Sequence, residues 1–231
     1  MNNTQLDILG ISETFWKGVG NFTASIPIVA ENYRVIFSGG DVSRRGVALI
    51  LTERAQKALM YCNTTRTMLI KIQDRLHNTI IIQVYAPTTD SDDTAEDFYE
   101  DITASICANA KSRDKIIISD DVNAKVGRDK VGNVVGPFGL GVRNDRGDNL
   151  IEFAQRHKLF VANTWFEKRE RARHTWTAPN STVKNQVNYI LVSTRYRNSV
   201  RNAKTRQNAD CGSDHNPIVI ITNTRLKQIQ R

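Results

Sequence analysis

Short apolar runs bounded by polar turns recur along the whole sequence, and this pattern constrains the fold more than any other feature. The runs predict strands at 6–11, 47–51, 68–72, 79–85, 115–119, 159–162, 187–192 and 217–221. Several of them are almost entirely apolar, which indicates strands that are covered on both faces. Apolar residues at helical spacing predict two helices, one at about 94–110, capped by Asp92 or Asp93, and one at about 147–157.

These predicted elements follow one another without a repeat, a linker or a break in composition. We therefore predict a single domain of mixed α and β structure over residues 1–231. A chain of this length can bury a full hydrophobic core. With 40% hydrophobic and 24% charged residues, its composition is typical of globular proteins and excludes collagen-like, low-complexity and largely disordered chains.

The sequence also bears on location. It contains no run of about 18 apolar residues, so we expect no membrane partner. Its first residues lack the basic head and the long apolar stretch of a signal peptide. Cys62, Cys107 and Cys211 are odd in number and widely scattered, which favours an intracellular, reduced protein, and none has the spacing of a zinc site.

Positive charge is concentrated in one part of the chain. The sequence has 32 basic and 24 acidic residues, a net charge of +8. Ten of the basic residues and only two acidic ones fall between 166 and 206, where they alternate with aromatic residues. We call residues 168–206 the basic segment. Basic and aromatic residues together are typical of nucleic-acid binding, although an ordinary solvated surface would produce the same pattern.

Four predicted strands have acid–base or metal-binding residues at one end. Each signal is weak alone: Glu13 could be a turn residue, Tyr85 could pack in a core, and Asp121 with Asn123 could bond its own backbone in a turn. Taken together they form a coherent set, because carboxylates bind Mg²⁺, amide and hydroxyl groups orient a phosphate, and a charged histidine stabilises it. The set comprises Glu13, Tyr85, Asp121, Asn123, Asp214 and His215.

Eight stretches that include these residues carry a family resemblance. They are LDILGISET (6–14), RRGVALI (44–50), QVYAPT (83–88), DVNAKVG (121–127), RNDRG (143–147), TW (175–176), QVNYI (186–190) and GSDH (212–215). In this order they resemble the endonuclease/exonuclease/phosphatase superfamily, in particular the apurinic-endonuclease-like domains of non-LTR retrotransposons and their craniofacial-development-protein-2-like copies. The resemblance implies a four-layer α/β sandwich, in which two β-sheets pack face to face with helices outside.

The resemblance also implies roles for the matching residues. Glu13 and Asp214 correspond to the metal-side acids, with Mg²⁺ as the expected ion and Mn²⁺ as the alternative. Asp121 corresponds to the residue that activates the attacking water. Tyr85 and Asn123 correspond to residues that contact or hold the phosphate, and His215 to a histidine that stabilises it. The expected nucleic-acid contacts are Asn144, Trp176, Arg169, Arg171 and Arg173.

Three departures from the family pattern point to weakened activity. Asn188 stands where the family has an aspartate that orients the histidine, so the negative charge that would favour a protonated His215 is lost. Asp120 replaces the glycine of the family's Gly-Asp-Phe-Asn motif and puts a second carboxylate beside Asp121. The family's first strand, which ends in Trp-Asn, has no counterpart in this sequence, so we expect an N-terminally truncated domain of low stability.

Two functional hypotheses follow. The first is a Mg²⁺-dependent phosphodiesterase that acts on DNA, descends from a retrotransposon and is impaired. The second is a catalytically decayed copy that keeps the fold and a basic nucleic-acid-binding surface. Phosphatase activity on small molecules or lipids exists elsewhere in the superfamily, but no residue here points to it. We expect DNA as the partner, a monomer without a small-molecule cofactor, and, from the lineage, a nuclear location.

Overall fold

The computed structural model describes residues 6–26, 31–39, 46–64, 67–86, 94–178, 183–207 and 213–229. The chain divides into two compact units. Unit 1 comprises Met1–Tyr85, Glu100–Ser119 and Thr224–Arg231, and unit 2 comprises Ala86–Tyr99 and Asp120–Asn223. The extension of one domain over all 231 residues stays a prediction, and the two units are described in turn.

Unit 1 is built mainly from strands. Its first sheet has the order β1-β4-β3-β2, formed by β1 (Ile8–Ser12), β2 (Val19–Ile26), β3 (Glu31–Ser38) and β4 (Val47–Thr52). Its second set of neighbouring strands is β5 (Leu59–Thr64), β6 (Met68–Ile72), β7 (Thr79–Tyr85) and β8 (Lys115–Asp121), and β8 ends inside unit 2. The short helix α1 (Glu53–Lys57) follows β4, and α2 (Ala95–Asn109) begins in unit 2 and ends in unit 1.

The two sheets of unit 1 face each other across one apolar core. Leu49 and Leu51 of β4 pack in the same buried cluster as Ile70 and Ile72 of β6. Each of these side chains is at most 1% exposed. This packing explains why strands β4, β6 and β7 are almost continuously apolar, as the sequence predicts for strands covered on both faces.

Unit 2 combines short strand pairs with one amphipathic helix, α3 (Asp145–Arg156). β9 (Leu159–Val161) pairs antiparallel with β12 (Asn188–Ser193). β10 (Trp176–Thr177) pairs with β11 (Lys184–Asn185), and β13 (Val200–Thr205) pairs with β14 (Ile218–Thr222). The apolar face of α3 buries Leu150, Ile151 and Ala154, as predicted from their spacing.

Polar side chains define where the two longer helices begin. Thr94 precedes α2, its Oγ1 accepts from the Asp97 N–H at 3.1 Å, and the Asp97 carboxylate accepts from the Thr94 N–H in return. The predicted caps Asp92 and Asp93 lie outside the described residues. Asn144 caps α3 by accepting from the Gly147 N–H at 3.0 Å. Helix α3 therefore begins two residues earlier than predicted.

The sequence patterns did not predict β2, β3, β5, β13, the β10–β11 pair or α1. β2 is an edge strand with mostly exposed side chains, so it carries no apolar run. β13 buries only three of its six residues, one of which is polar, and it has a register shift between Val200 and Asn202. In the described part of the chain, no helix is long and apolar enough to cross a membrane.

Candidate active site

In unit 1, Glu13 and Tyr85 meet where two strands end. Glu13 follows the last residue of β1, Tyr85 is the last residue of β7, and the Tyr85 hydroxyl donates a hydrogen bond to Glu13 Oε1. A second contact joins the same two strands: Gln83 Nε2 of β7 donates to Ser12 Oγ of β1 at 3.0 Å. A side chain at Gly10 would meet Gln83 Oε1 at 1.9 Å, so glycine gives Gln83 the room to make this contact.

The backbone at Glu13 is unusual. Its φ is 55°, in the left-handed region that residues with a Cβ rarely adopt, and Phe15 has a φ of 56°. Strained residues of this kind persist only where their surroundings hold them, and they cluster at functional sites. The turn takes Glu13 out of the strand and leaves the side chain exposed, so its carboxylate can bind a ligand from solvent.

In unit 2, three of the sequence-predicted residues meet at one imidazole. The Nδ1–H of His215 donates to Asn188 Oδ1 at 3.0 Å, since an amide oxygen can only accept. Asp121 Oδ2 lies 3.5 Å from the same nitrogen, and the Asp121 side chain is only 6% exposed. Asn188 therefore takes the orienting position that the family's aspartate would hold, while Asp121 places a negative charge near the ring.

Asn123 belongs to the turn that follows Asp121. Its N–H donates to Asp121 Oδ1 at 3.3 Å, so the two residues form the local turn that the sequence analysis weighed as an alternative. Asn123 has a φ of 46°, which makes it the second candidate residue in a left-handed conformation. The side chain of the neighbouring Asp120 lies outside the described residues.

Two buried polar residues that the sequence analysis did not single out position Asn188. Thr175 is fully buried, and its Oγ1 accepts from the N–H groups of Val187 and Asn188 at 2.9 and 3.0 Å. Asn163 Nδ2 donates to the Asn188 carbonyl at 3.3 Å, and its Oδ1 accepts from the Ile190 N–H at 3.2 Å. Thr175 and Asn163 thus hold the start of β12 through hydrogen bonds to its backbone. Such bonds cannot be recognised from the sequence.

Trp176 and Asp214 form a pair beside this cluster. The indole Nε1–H of Trp176 donates to Asp214 Oδ2 at 2.8 Å, and the Thr177 N–H donates to the Asp214 carbonyl at 3.0 Å. Trp176 also forms an isolated antiparallel bridge with His215. Trp176, expected to contact nucleic acid, therefore orients the carboxylate of a residue expected on the metal side.

The other expected nucleic-acid contacts differ from one another. Asn144 Oδ1 accepts from the Lys125 N–H at 2.9 Å in addition to its capping bond, so both hydrogen bonds of this oxygen are made to the backbone of the chain. Arg173 Nη1 donates to the carbonyls of Phe138 and Gly139 at 3.2 and 3.4 Å. Arg169 and Arg171 are exposed. Contact of any of the five expected residues with nucleic acid stays a prediction.

The donor groups suit Mg²⁺ in chemical type. Unit 1 offers the exposed Glu13 carboxylate, and unit 2 offers Asp121 and Asp214. Mg²⁺ is commonly bound through one or two carboxylates and keeps several waters, whereas zinc sites use histidine and cysteine. Across the described ranges, no group of three His, Cys, Asp or Glu side chains gathers as a preformed metal site. In chemical type, each of these carboxylates is a ligand that suits Mg²⁺ better than zinc.

Comparison with known proteins identifies the family. A protein-family model described as "endonuclease-reverse transcriptase" matches residues 79–219, which is more than half of the chain. The chain therefore belongs to the endonuclease–reverse transcriptase family, within the endonuclease/exonuclease/phosphatase superfamily that its motifs resemble. The matched region includes Tyr85, Asp121, Asn188 and His215.

Two curated relatives match over the whole chain. Craniofacial development protein 2 of Tragulus javanicus and that of Bos taurus are each 37% identical to it over 235 residues. The chain spans 40% and 38% of the length of these two proteins.

Solved structures of similar fold include three DNA-processing enzymes. The endonuclease domain of TRAS1, a telomere-specific non-LTR retrotransposon, has a TM-score of 0.64 at 15% identity and is covered to 88% by 96% of this chain. An AP endonuclease from Archaeoglobus fulgidus has a TM-score of 0.68 at 15% identity, with 91% of that chain and 96% of this one covered. The 3′–5′ exonuclease NExo from Neisseria meningitidis has a TM-score of 0.66 at 13% identity, with 89% and 94% covered. These likenesses confirm the predicted α/β sandwich class.

Proposed function

We propose that this chain is a Mg²⁺-dependent phosphodiesterase domain that cleaves DNA, and that its rate is reduced because Asn188 stands beside His215. The observation that carries the proposal is the contact of His215 Nδ1 with Asn188 Oδ1 at 3.0 Å and with Asp121 Oδ2 at 3.5 Å. It supports a histidine that is held in one orientation next to a buried carboxylate. Family membership and the similarity in fold to an endonuclease, an exonuclease and an AP endonuclease support DNA as the substrate.

Each residue has a defined task in this proposal. Asp121 is buried and held by its own turn, so its carboxylate can orient the water that attacks phosphorus. His215 stabilises negative charge on the phosphoryl oxygens, and Asn188 keeps its ring in place. Tyr85 and Asn123 contact the phosphate.

Mg²⁺, when bound, would offset charge on the same phosphoryl oxygens. Glu13 and Asp214 are the carboxylates proposed to hold it. The assignment of both to one reaction rests on the order of the family's motifs. Variants of each residue test that assignment separately.

A specific observation favours the decayed copy as the second candidate. Asn188 supplies an acceptor but no charge, and in a serine protease the change of an orienting aspartate to asparagine lowers the rate about 10⁴-fold. A decayed copy would bind DNA through the basic segment without cleaving it. The expected nuclear location and monomeric state stay predictions under either candidate.

Nicking of supercoiled plasmid tests the proposal. We expect slow nicking in Mg²⁺ and none in EDTA. Asp121→Asn should lower the rate about a hundredfold or more, because it removes the group that orients the water. Asp129→Asn is the matched control, since it changes an exposed carboxylate only eight residues further along the chain. DNA binding without any nicking would establish the decayed copy instead.

A further inference from the structure

A pocket of about 320 Å³ in unit 2 contains none of the residues proposed for catalysis. Its walls combine the aromatic side chains of Phe160, Trp165 and Phe166 with the guanidinium groups of Arg197 and Arg201. No carboxylate belongs to the lining formed by the described residues. The pocket is therefore both aromatic and cationic, without an acidic side chain of its own to balance the charge.

The pocket lies away from His215 along β12. This strand begins at Asn188, which holds His215, and ends at Ser193, after which the 3-10 helix Thr194–Ser199 carries Arg197. At the usual rise of a strand, the two ends of β12 are about 16 Å apart. A ligand in this pocket would therefore occupy a second place in unit 2.

Stacking holds the Arg197 side chain in position. Its guanidinium carbon lies 3.4 Å from the centroid of the Trp165 ring and 5.0 Å from that of Phe160. The Trp165 ring is itself fixed, because its Nε1–H donates to the Val134 carbonyl at 3.2 Å. A guanidinium held over an aromatic ring is both stabilised and oriented. The fork of N–H donors is thus arranged before a ligand binds.

One donor of this fork has no acceptor. Arg197 Nη2 is buried, and none of the residues that the structure describes accepts a hydrogen bond from it. Partial burial lowers the pKa of the Arg197 guanidinium. Arg197 as a whole is half-buried, and buried polar atoms in folded proteins nearly always have a partner. An anion from outside the chain would complete the site.

We propose that this pocket binds a phosphate group of a nucleic-acid strand. The planar fork of an arginine matches two phosphate oxygens at once, and it binds them more strongly than a neutral donor does. The aromatic walls beside it provide a surface on which a base can stack. This role rests on the nucleic-acid binding proposed for the basic segment, which contains Arg197, and it requires none of the proposed catalytic residues.

An NMR titration of the full chain tests the site. The indole N–H signal of Trp165, assigned with Trp165→Phe, reports on ligands that reach the pocket. Inorganic phosphate and a short single-stranded oligothymidylate should both shift it. Arg197→Gln should weaken oligothymidylate binding about tenfold, because it removes the charged fork. Arg195→Gln, which removes the same charge from an exposed position on the same 3-10 helix, should have a clearly smaller effect.

Thermal melting of each variant, compared with the wild type, shows whether the variant is folded. Arg197→Lys is the conservative substitution at the same position. Lysine keeps the charge but not the fork, so binding should again fall below that of Arg195→Gln. Equal losses in Arg195→Gln and Arg197→Gln would overturn the proposal, as would a Trp165 signal that moves with phosphate but not with oligothymidylate. An acidic peptide that shifts the signal as strongly as the oligonucleotide would also overturn it. If the Trp165 signal shifts in an Arg197-dependent way but the chain never nicks plasmid, the pocket proposal stands and the proposed function is wrong.

Discussion

Asp121, Asn188 and His215 in unit 2 are held by buried groups, whereas Glu13 and Tyr85 in unit 1 meet at an exposed turn. Thr175 and Asn163 fix the start of β12 through four hydrogen bonds, and Asp121 is almost fully buried. Glu13, by contrast, is exposed and sits in a left-handed conformation. Changes in the first group should therefore alter stability and activity together, while changes at Glu13 should separate them.

Thr175→Val should produce the largest effect on stability. Valine has the same shape but no oxygen, so the N–H groups of Val187 and Asn188 lose their acceptor in the protein interior, at a cost of about 2–4 kcal/mol in unfolding free energy. Nicking should fall as well, because Asn188 would no longer be held in place. Urea unfolding and plasmid nicking measure the two effects, with Thr23→Val on the exposed face of β2 as the control. A stability unchanged from wild type would show that Thr175 does not support the site.

Glu13→Gly should have a smaller effect on stability, and of opposite sign. Glycine adopts a positive φ without the penalty of a Cβ, so the unfolding free energy should rise by up to about 1 kcal/mol. The same change removes the carboxylate, so nicking should be lost. Glu13→Gln separates the two causes, because it removes the charge and keeps the strain. If glycine lowers stability, the turn at Glu13 is not strained as described.

Arg171→Gln should have the smallest effect. Arg171 is exposed, so the change should weaken DNA binding a few-fold and reduce its salt dependence while stability stays the same. Arg173→Gln is the informative counterpart, because it breaks bonds to the carbonyls of Phe138 and Gly139 and should lower stability. DNA affinity that is indifferent to salt between about 50 and 200 mM would remove the nucleic-acid role of the basic segment.

The parts of the molecule that could be predicted are those with a local signal. β4, β6 and β7 are apolar throughout because both of their faces are buried, and they appear at the predicted positions. β2 and β13 were not predicted because many of their positions are not buried and carry polar residues. The sequence also identified Asp121 and His215, which the structure brings together from positions far apart in the chain.

The residues that position the candidate site could not be predicted from the sequence. Thr175 and Asn163 are ordinary polar residues whose function depends on burial and on backbone groups elsewhere in the chain. The left-handed conformation of Glu13 has no sequence signal either, because the residue is not glycine. Asn144 and Trp176 each bond a neighbour within unit 2, and the sequence carried no signal for either bond.

The central claim is that His215 is positioned for phosphodiester cleavage but lacks the charge of an orienting aspartate. Asn188→Asp tests it most directly, with the initial rate of Mg²⁺-dependent plasmid nicking as the measurement. Asn185→Asp adds the same charge three residues away and serves as the control. The account predicts that Asn188→Asp nicks about tenfold faster than the wild type or more at neutral pH, because the aspartate puts a negative charge beside His215. Equal rates for the wild type and Asn188→Asp at neutral pH would contradict it.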